Sequence, residues 1–414
     1  MSQAAEDFKR AETISRIEQS LFKELEKAEY VPHLEPYTQL GQENRTAFLE
    51  NKLNTSIDYV KGKKVFEDHS QLQGNIENFI GMTQIPTGVV GPLLVNGSAA
   101  KGDFYIPLAT TEGALVASYG RGIKACRLSG SVTSVCIVEG VQRSPYFKFK
   151  NMTDMGKFVL WVLGQTDEFK AITSESSNHA VLNDLEINVE GNSAILSFEF
   201  KTGDAAGQNM VTICTNAICQ YILEESPVKP LHWFIESNYS GDKKATALAF
   251  TNVRGKKVSA EIVVPKEIVE KVLKTTPEGM AEYWRASTLG VIQSGSIGAQ
   301  GHVANGLTAI FLACGQDAAC VSEASIGVTR MEVTENADLY TAVTLPALIV
   351  GTVGGGTHLP TQRECLNLMG CLGNGKARKF AEICAAVALA GELSIAAAMS
   401  AGHFAKAHQQ LGRK

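Results

Sequence analysis

The chain reads as an α+β protein in which a small α+β unit is inserted into a large, mostly helical domain, behind a helical N-terminal segment. Three observations carry this. The first 74 residues show amphipathic helical spacing, two alternating strands joined by a tight turn stand mid-chain, and long Ala- and Gly-rich apolar stretches fill the last third. With 414 residues, 44% hydrophobic and 20% charged, the chain can bury a large core in two or three domains.

The elements follow in order. Residues 1–74 are rich in Glu, Lys, Gln and Asn, and Ile14, Ile17, Leu21 and Leu25 recur at helical spacing, which predicts an appended helical segment. From Asn75 to Gly102, short apolar runs cut by Pro86, Gly88, Gly91, Pro92 and Gly97 predict strands and tight turns. Glu112 to Lys124 predicts a buried helix with Thr110 or Thr111 as its cap. Residues 144–235 predict the inserted unit: a helix over Asp154–Gln165, strands over Leu185–Val189 and Ala194–Lys201 about an EGN turn, and an apolar helix through Ile222. The large domain, residues 75–143 and 236–414, resumes with the Asn238–Lys244 loop and a strand pair. Helices are then expected at Pro265–Lys274, Pro277–Trp284 and Ala304–Ala319, followed by a GTVGGGT loop and C-terminal helices.

Composition excludes several classes. A net charge of -5 leaves no basic footprint for nucleic acid. Nine cysteines, an odd number with no C-x-x-C pair, predict reduced, buried thiols. The polar start MSQAAEDFKRAETISR has no apolar h-region, so a cytoplasmic location is expected. The stretch Ile383–Ala401 is apolar, but Glu392 interrupts it and its bulk is Ala and Gly, which predicts a core helix and no membrane partner. There is no G-x-S-x-G elbow and no H-E-x-x-H helix, and no metal is expected. GCLGNGKA meets half of a P-loop but places Ala377 where a magnesium-binding hydroxyl belongs. GTVGGGT lacks the G-x-G-x-x-G spacing of a Rossmann turn.

Four ionisable residues stand out: Glu112, Asp317 and His403 among small or apolar neighbours, and Lys243 in SNYSGDKK. Singly they read as a cap, a second cap, a core histidine and a solvated lysine. Together they suit reduction of an activated carboxyl group. Asp204 in TGDAAGQNM precedes a helix whose positive end favours an anion such as a nucleotide phosphate, or else Asp204 is simply a helix cap. The glycines of GTVGGGT allow backbone to approach a ligand closely.

ENFIGMTQIPTGVVGPL, ATTEGALVAS, TGDAAGQNM, NYSGDKK, GSIGAQGHVANGLTAIFLACGQDAA, GTVGGGT and AGELSIAAAMSAGH resemble, in order and spacing, the catalytic portion of 3-hydroxy-3-methylglutaryl-CoA (HMG-CoA) reductases, nearer the eukaryote-like class. The resemblance runs from about Asn75 to the end. It implies an NADPH-dependent reduction of an acyl-CoA thioester to a primary alcohol, with the inserted unit a ferredoxin-like dinucleotide-binding domain. It also implies a homo-oligomer whose active sites form between two subunits. Glu112, Lys243, Asp317 and His403 fall on the catalytic positions. Lys243 would stabilise the oxyanion, a buried Glu112 would protonate the aldehyde oxygen, and His403 the departing thiolate. Lys244 should hold the pKa of Lys243 down, while Asp317 should raise it and link it to Glu112. Asn305 matches a residue that orients the glutamate. By the same resemblance Ser118 and Arg121 line the CoA side and Arg143, Asp242 and Lys244 the acyl side. Asp204, Gly207, Gln208, Asn209, Met210, Val353, Gly354 and Gly355 match the dinucleotide site.

Departures from the family pattern are specific. Glu236 stands where a serine is usual, and Ala286 where a lysine grips the acyl carboxylate, with Arg285 beside it as a substitute cation. These changes admit a second reading, an enzyme that reduces a different acyl-CoA or carrier-protein thioester; a catalytically silent binding protein on the same fold is a third. Asn178 stands where an arginine near the cofactor ribose is usual, so NADPH is expected with NADH open.

Overall fold

A computed structural model describes residues 11–17 and 28–402 of the chain. Helix α1 (Gln39–Leu53) is capped by the Thr38 side chain, which accepts from Gly41 N. The segment around it is tied to the body: Val31, Leu49 and Ile57 pack with Tyr105 and Leu368, and the Glu364 carboxylate accepts from the backbone N–H groups of Tyr59 and Val60. Ile14 lies in a helical turn, while Leu21 and Leu25 lie outside the described residues.

Strands β1 (Thr87–Gly97) and β2 (Lys101–Ala109) form an antiparallel hairpin. Helix α2 (Leu115–Leu128) starts later than the sequence suggests and has no side-chain cap. Thr110 Oγ1 instead accepts from Glu112 N, so the threonine fixes the turn that carries Glu112.

Strand β3 (Val132–Arg143) runs through both halves of the fold. Over residues 132–134 it pairs in parallel with β1, and over residues 141–143 it pairs with β6 of the inserted unit. That unit contains β4 (Tyr146–Lys148), α3 (Met152–Leu163), α4 (Thr166–Ser176), β5 (Val181–Glu190), β6 (Ser193–Lys201), α5 (Gln208–Glu225) and β7 (His232–Phe234). The β5–β6 hairpin and the helix after TGDAAG form as the alternation and apolar spacing predict, with β5 starting four residues earlier. A separate core fills the unit, built on Phe147, Phe149, Phe158, Phe169, Phe198 and Phe200. Aromatic rings supply large apolar area in a body with few residues.

The chain then forms β8 (Gly255–Val264), α6 (Pro277–Ser294), α7 (Val303–Ala313), β9 (Val328–Val333), β10 (Leu339–Leu348), α8 (Pro360–Leu368) and α9 (Ala377–Ser400). The strand order is β7-β4-β6-β3-β8-β10-β9, with β1 and β2 branching from β3. Several features depart from the sequence reading. The strand pair expected after the Asn238–Lys244 loop is a single strand, β8, preceded by a 3-10 turn at Ala247–Phe250, and it pairs with β3 and β10. α6 runs ten residues past Trp284. α7 stops at Ala313 and not Ala319, because Gly315 takes a left-handed φ of 67° against the Gly356 carbonyl, where a Cβ would sit 2.2 Å away. The β9–β10 hairpin was not expected, although VTRMEV and LYTAVTLPAL alternate as half-buried strands should.

α9 is the axis of the large core. By length and composition it could cross a membrane, yet 83% of its most apolar window is buried inside the fold. Small residues make this burial possible: a Cβ on Gly122 of α2 would fall 1.8 Å from the Ala390 carbonyl oxygen, and one on Gly391 would collide with the Tyr119 ring. One of its two buried acids, Glu392, accepts from Gly301 N, His302 N and the Thr329 hydroxyl, so it satisfies the otherwise open N–H groups at the start of α7. All nine cysteines are free and buried.

Candidate active site

Lys243 sits in the loop between β7 and β8 with φ of 56°, and its backbone N–H donates to Glu323 Oε1 at 3.1 Å. Its ammonium lies 3.0 Å from Asp317 Oδ2. Asp317 is itself fixed, because its carboxylate caps a short turn by accepting from Ala319 N. The Asp317 hydrogen bond raises the Lys243 pKa above that of a free lysine. The expectation that Lys244 would hold it down therefore fails, and Lys244 points its own ammonium at the Asp242 carbonyl oxygen, 2.8 Å away.

Glu112 is held elsewhere. Asn305 Nδ2, on the first turn of α7, donates to both of its carboxylate oxygens at 3.0 and 2.8 Å. The orienting contact expected of Asn305 is thus present, but Glu112 is exposed in the single chain, where a buried acid was expected. Within one chain Asp317 does not reach Glu112: Asn305 lies near the N-terminal end of α7 and Asp317 just beyond its C-terminal end. At 1.5 Å rise per residue, Asn305 and Ala313 alone are about 12 Å apart.

His403 lies outside the described residues, directly after Gly402 at φ 67°. Ser118 and Arg121 of α2 converge on Ser394 of α9: the hydroxyls of Ser118 and Ser394 are 3.0 Å apart, and Arg121 donates to both the Ser394 hydroxyl and its carbonyl. Burial lowers the Arg121 pKa, which leaves a half-buried cation suited to an anionic ligand.

Arg143, at the end of β3, is 6% exposed, and its Nη1 donates to Asp242 Oδ2 at 3.1 Å and Glu236 Oε2 at 3.2 Å. Two residues that the sequence reading missed complete this cluster. Arg254, 2% exposed, donates to Asp242 Oδ1 at 2.9 Å and to Glu323 Oε2 at 2.5 Å. Burial pushes the Glu323 carboxyl up, and the Arg254 guanidinium pulls it back. The signal available in the sequence was an arginine directly before the strand GKKVSAEIVV, which periodicity alone does not distinguish from a solvated residue. Arg285 does not join the cluster; it pairs with Glu282 on its own helix, and the neighbouring Ala286 is exposed.

The two glycine-rich segments meet: Thr352 N donates to the Asp204 carbonyl oxygen at 2.8 Å, which sets TGDAAG against GTVGGG. The Asp204 carboxylate accepts from Gly375 N and Ala377 N, so it caps α9 and not the helix that follows it in sequence. α5, with Gly207 as its N-cap, therefore has no side-chain cap, which leaves its first N–H groups to donate to an anionic ligand. Gln208 Oε1 accepts from Arg143 and Arg254 and links this face to the acyl cluster. Asn209 is exposed, Met210 and Val353 are partly buried, and Gly354 and Gly355 are exposed. Asn178 is exposed just past α4.

The family model for hydroxymethylglutaryl-coenzyme A reductase matches residues 41–413. The chain belongs to this reductase family. The match begins inside α1, earlier than the motifs alone suggest. Among curated HMG-CoA reductases, the chain is 46% identical to that of Pyrococcus abyssi, over 90% of this chain and 93% of the relative. It is 43% identical to that of Methanocaldococcus jannaschii, over 91% and 94%. HMG-CoA reductase 1 of Dictyostelium discoideum is 36% identical over 90% of this chain and 68% of its own length. Among solved structures, the class II HMG-CoA reductase of Streptococcus pneumoniae bound to NADPH in open conformations superposes with a TM-score of 0.71 at 19% identity, covering 86% of this chain and 96% of that one. At that identity the likeness establishes the fold.

Proposed function

We propose that the protein is an HMG-CoA reductase that converts HMG-CoA, two NADPH and two protons to mevalonate, CoA and two NADP⁺, at sites assembled between two copies of the chain. The observation that carries the reading is the fixed Lys243–Asp317 pair in a member of this family. The identity to the Dictyostelium enzyme, 36% against 19% for the class II structure, supports placement nearer the eukaryote-like class.

The nucleotide reading is supported by the uncapped start of α5, on the segment that meets GTVGGG where Thr352 N donates to the Asp204 carbonyl oxygen. Asp204 contributes there by positioning the loops through its cap on α9, and Gln208, Asn209, Met210 and Val353 border the same junction. Two NADPH molecules, bound in succession, would each supply one hydride, four electrons in all. Lys243, kept protonated by Asp317, stabilises the negative oxygen that forms at the thioester carbon and again at the aldehyde. Glu112, oriented by Asn305, delivers the proton that makes the alcohol. His403 protonates the CoA sulfur as it leaves. Arg121 and Ser118 hold the CoA side, and Arg143, Asp242 and Lys244 shape the acyl side.

Within one chain, Glu112 and Lys243 stand at opposite ends of α7, which favours sites that combine Glu112 of one copy with Lys243 and Asp317 of another. Loss of absorbance at 340 nm with HMG-CoA and NADPH, together with mevalonate formation, tests the activity. Its retention in Lys243→Ala at near-normal kcat would overturn the assigned role.

A further inference from the structure

One short element holds Lys243 at two points. Asp317 caps the 3-10 turn Ala318–Cys320, and the single helical turn Val321–Ala324 that continues it carries Glu323. Asp317 Oδ2 lies 3.0 Å from the Lys243 ammonium, and Glu323 Oε1 accepts from the Lys243 backbone N–H at 3.1 Å. The loop that presents the lysine needs such support. Asn238, Gly241 and Lys243 all take left-handed backbone conformations, with φ of 63°, 76° and 56°. Glycine adopts that region freely and asparagine with local help, whereas a lysine there crowds its Cβ against its own backbone.

The two anchors differ in strength. The Lys243 and Asp317 side chains are 46% and 44% exposed, and an ion pair in contact with water holds its geometry weakly. Glu323 and Arg254 are 1% and 2% exposed. Arg254 Nε donates to Glu323 Oε2, and its other nitrogens donate to the Gln142 carbonyl oxygen on β3, Gln208 Oε1 on α5 and Asp242 Oδ1 in the lysine's own loop. The guanidinium is thus fixed from three directions, and it fixes Glu323 in turn. Each carboxylate oxygen of Glu323 takes one donor, the lysine backbone on one side and Arg254 on the other. An amide in its place would supply a single acceptor for the two.

We propose that Glu323 is a positioning residue for Lys243: backed by Arg254, it clamps the lysine backbone in its left-handed conformation and so keeps the ammonium on Asp317. The inference rests on the reading of Lys243 as the cation that stabilises the oxyanion, and deepens it. Glu323 itself touches no reacting atom and acts through the lysine.

The test uses the full chain as wild type, Glu323→Ala and Glu323→Gln. It measures kcat, KM for HMG-CoA, Kd for NADPH, and hydrogen exchange of the Lys243 amide by mass spectrometry. In Glu323→Ala, kcat should fall about a hundredfold while KM and Kd change less than about threefold, because the lysine is misplaced for the transition state and the binding surfaces stay intact. The Lys243 amide should exchange at least about tenfold faster. Glu323→Gln, with one acceptor left, should lose about tenfold in kcat in the same pattern, and it serves if the alanine variant fails to fold. A kcat within about threefold of wild type in both variants, an equal loss of kcat and nucleotide affinity, or an unchanged exchange rate overturns the proposal. A wild type that does not reduce HMG-CoA refutes the proposed function, while the exchange rate still decides whether Glu323 holds the lysine backbone.

Discussion

Glu112 and Lys243 are held apart within one chain by the length of α7: Asn305 on its first turn fixes the glutamate, and Asp317 beyond its last turn fixes the lysine. Each pair is ordered without the other. The proposed chemistry, which needs both groups at one carbonyl, would bring two copies together.

Mixed oligomers test this directly. Glu112→Gln and Lys243→Ala should each be inactive alone. Random reassembly from equal amounts should restore about a quarter of wild-type activity, since half the dimers are mixed and each of those holds one intact site of two. Zero recovery in demonstrably mixed dimers would place both residues in one chain's site.

The alkaline side of the pH profile depends on Asp317. Its hydrogen bond raises the Lys243 pKa, so the ammonium form persists to higher pH than in a free lysine. Asp317→Asn removes that push, and the alkaline limb of kcat should move to lower pH. A limb that stays in place would separate Lys243 from the titrating group.

His403→Gln should slow reduction of the thioester by about a hundredfold or more and reduction of the free aldehyde far less, because only the first step expels a thiolate. Equal losses on the two substrates would remove the histidine from that role.

Glu392 is predicted to matter for stability and not for chemistry. Glu392→Ala strands the N–H groups of Gly301 and His302 and the Thr329 hydroxyl in the core, at a cost of about 3 kcal/mol or more. A urea midpoint that falls with unchanged slope would report it, and an unmoved midpoint would refute it.

Much of the site was legible one segment at a time. ATTEGALVAS and ACGQDAA each carry one ionisable residue in a run of small or apolar neighbours, NYSGDKK carries Lys243 between Asp242 and Lys244, and Glu112, Asp317 and Lys243 are each fixed by a specific partner. Arg254 and Glu323 were not legible, because their meaning lies in a buried ion pair between residues 69 positions apart. Asp204 was read as a group at its own helix, yet its carboxylate serves residues 171 and 173 positions further along. The β9–β10 hairpin was legible in its alternation and went unread beside the apolar helix before it.

What the sequence by itself determined is local: the strand alternation of the inserted unit, the small-residue face of α9, the family, and the residue types that chemistry requires. These depend on period, side-chain size and composition, which are properties of neighbouring residues. The tertiary structure alone decided which charges meet. It set Glu236 on Arg143, put Asp317 and not Lys244 in command of Lys243, and placed Glu112 at the other end of α7. Ion pairing depends on distances of a few ångströms between side chains that the chain brings together only when it packs.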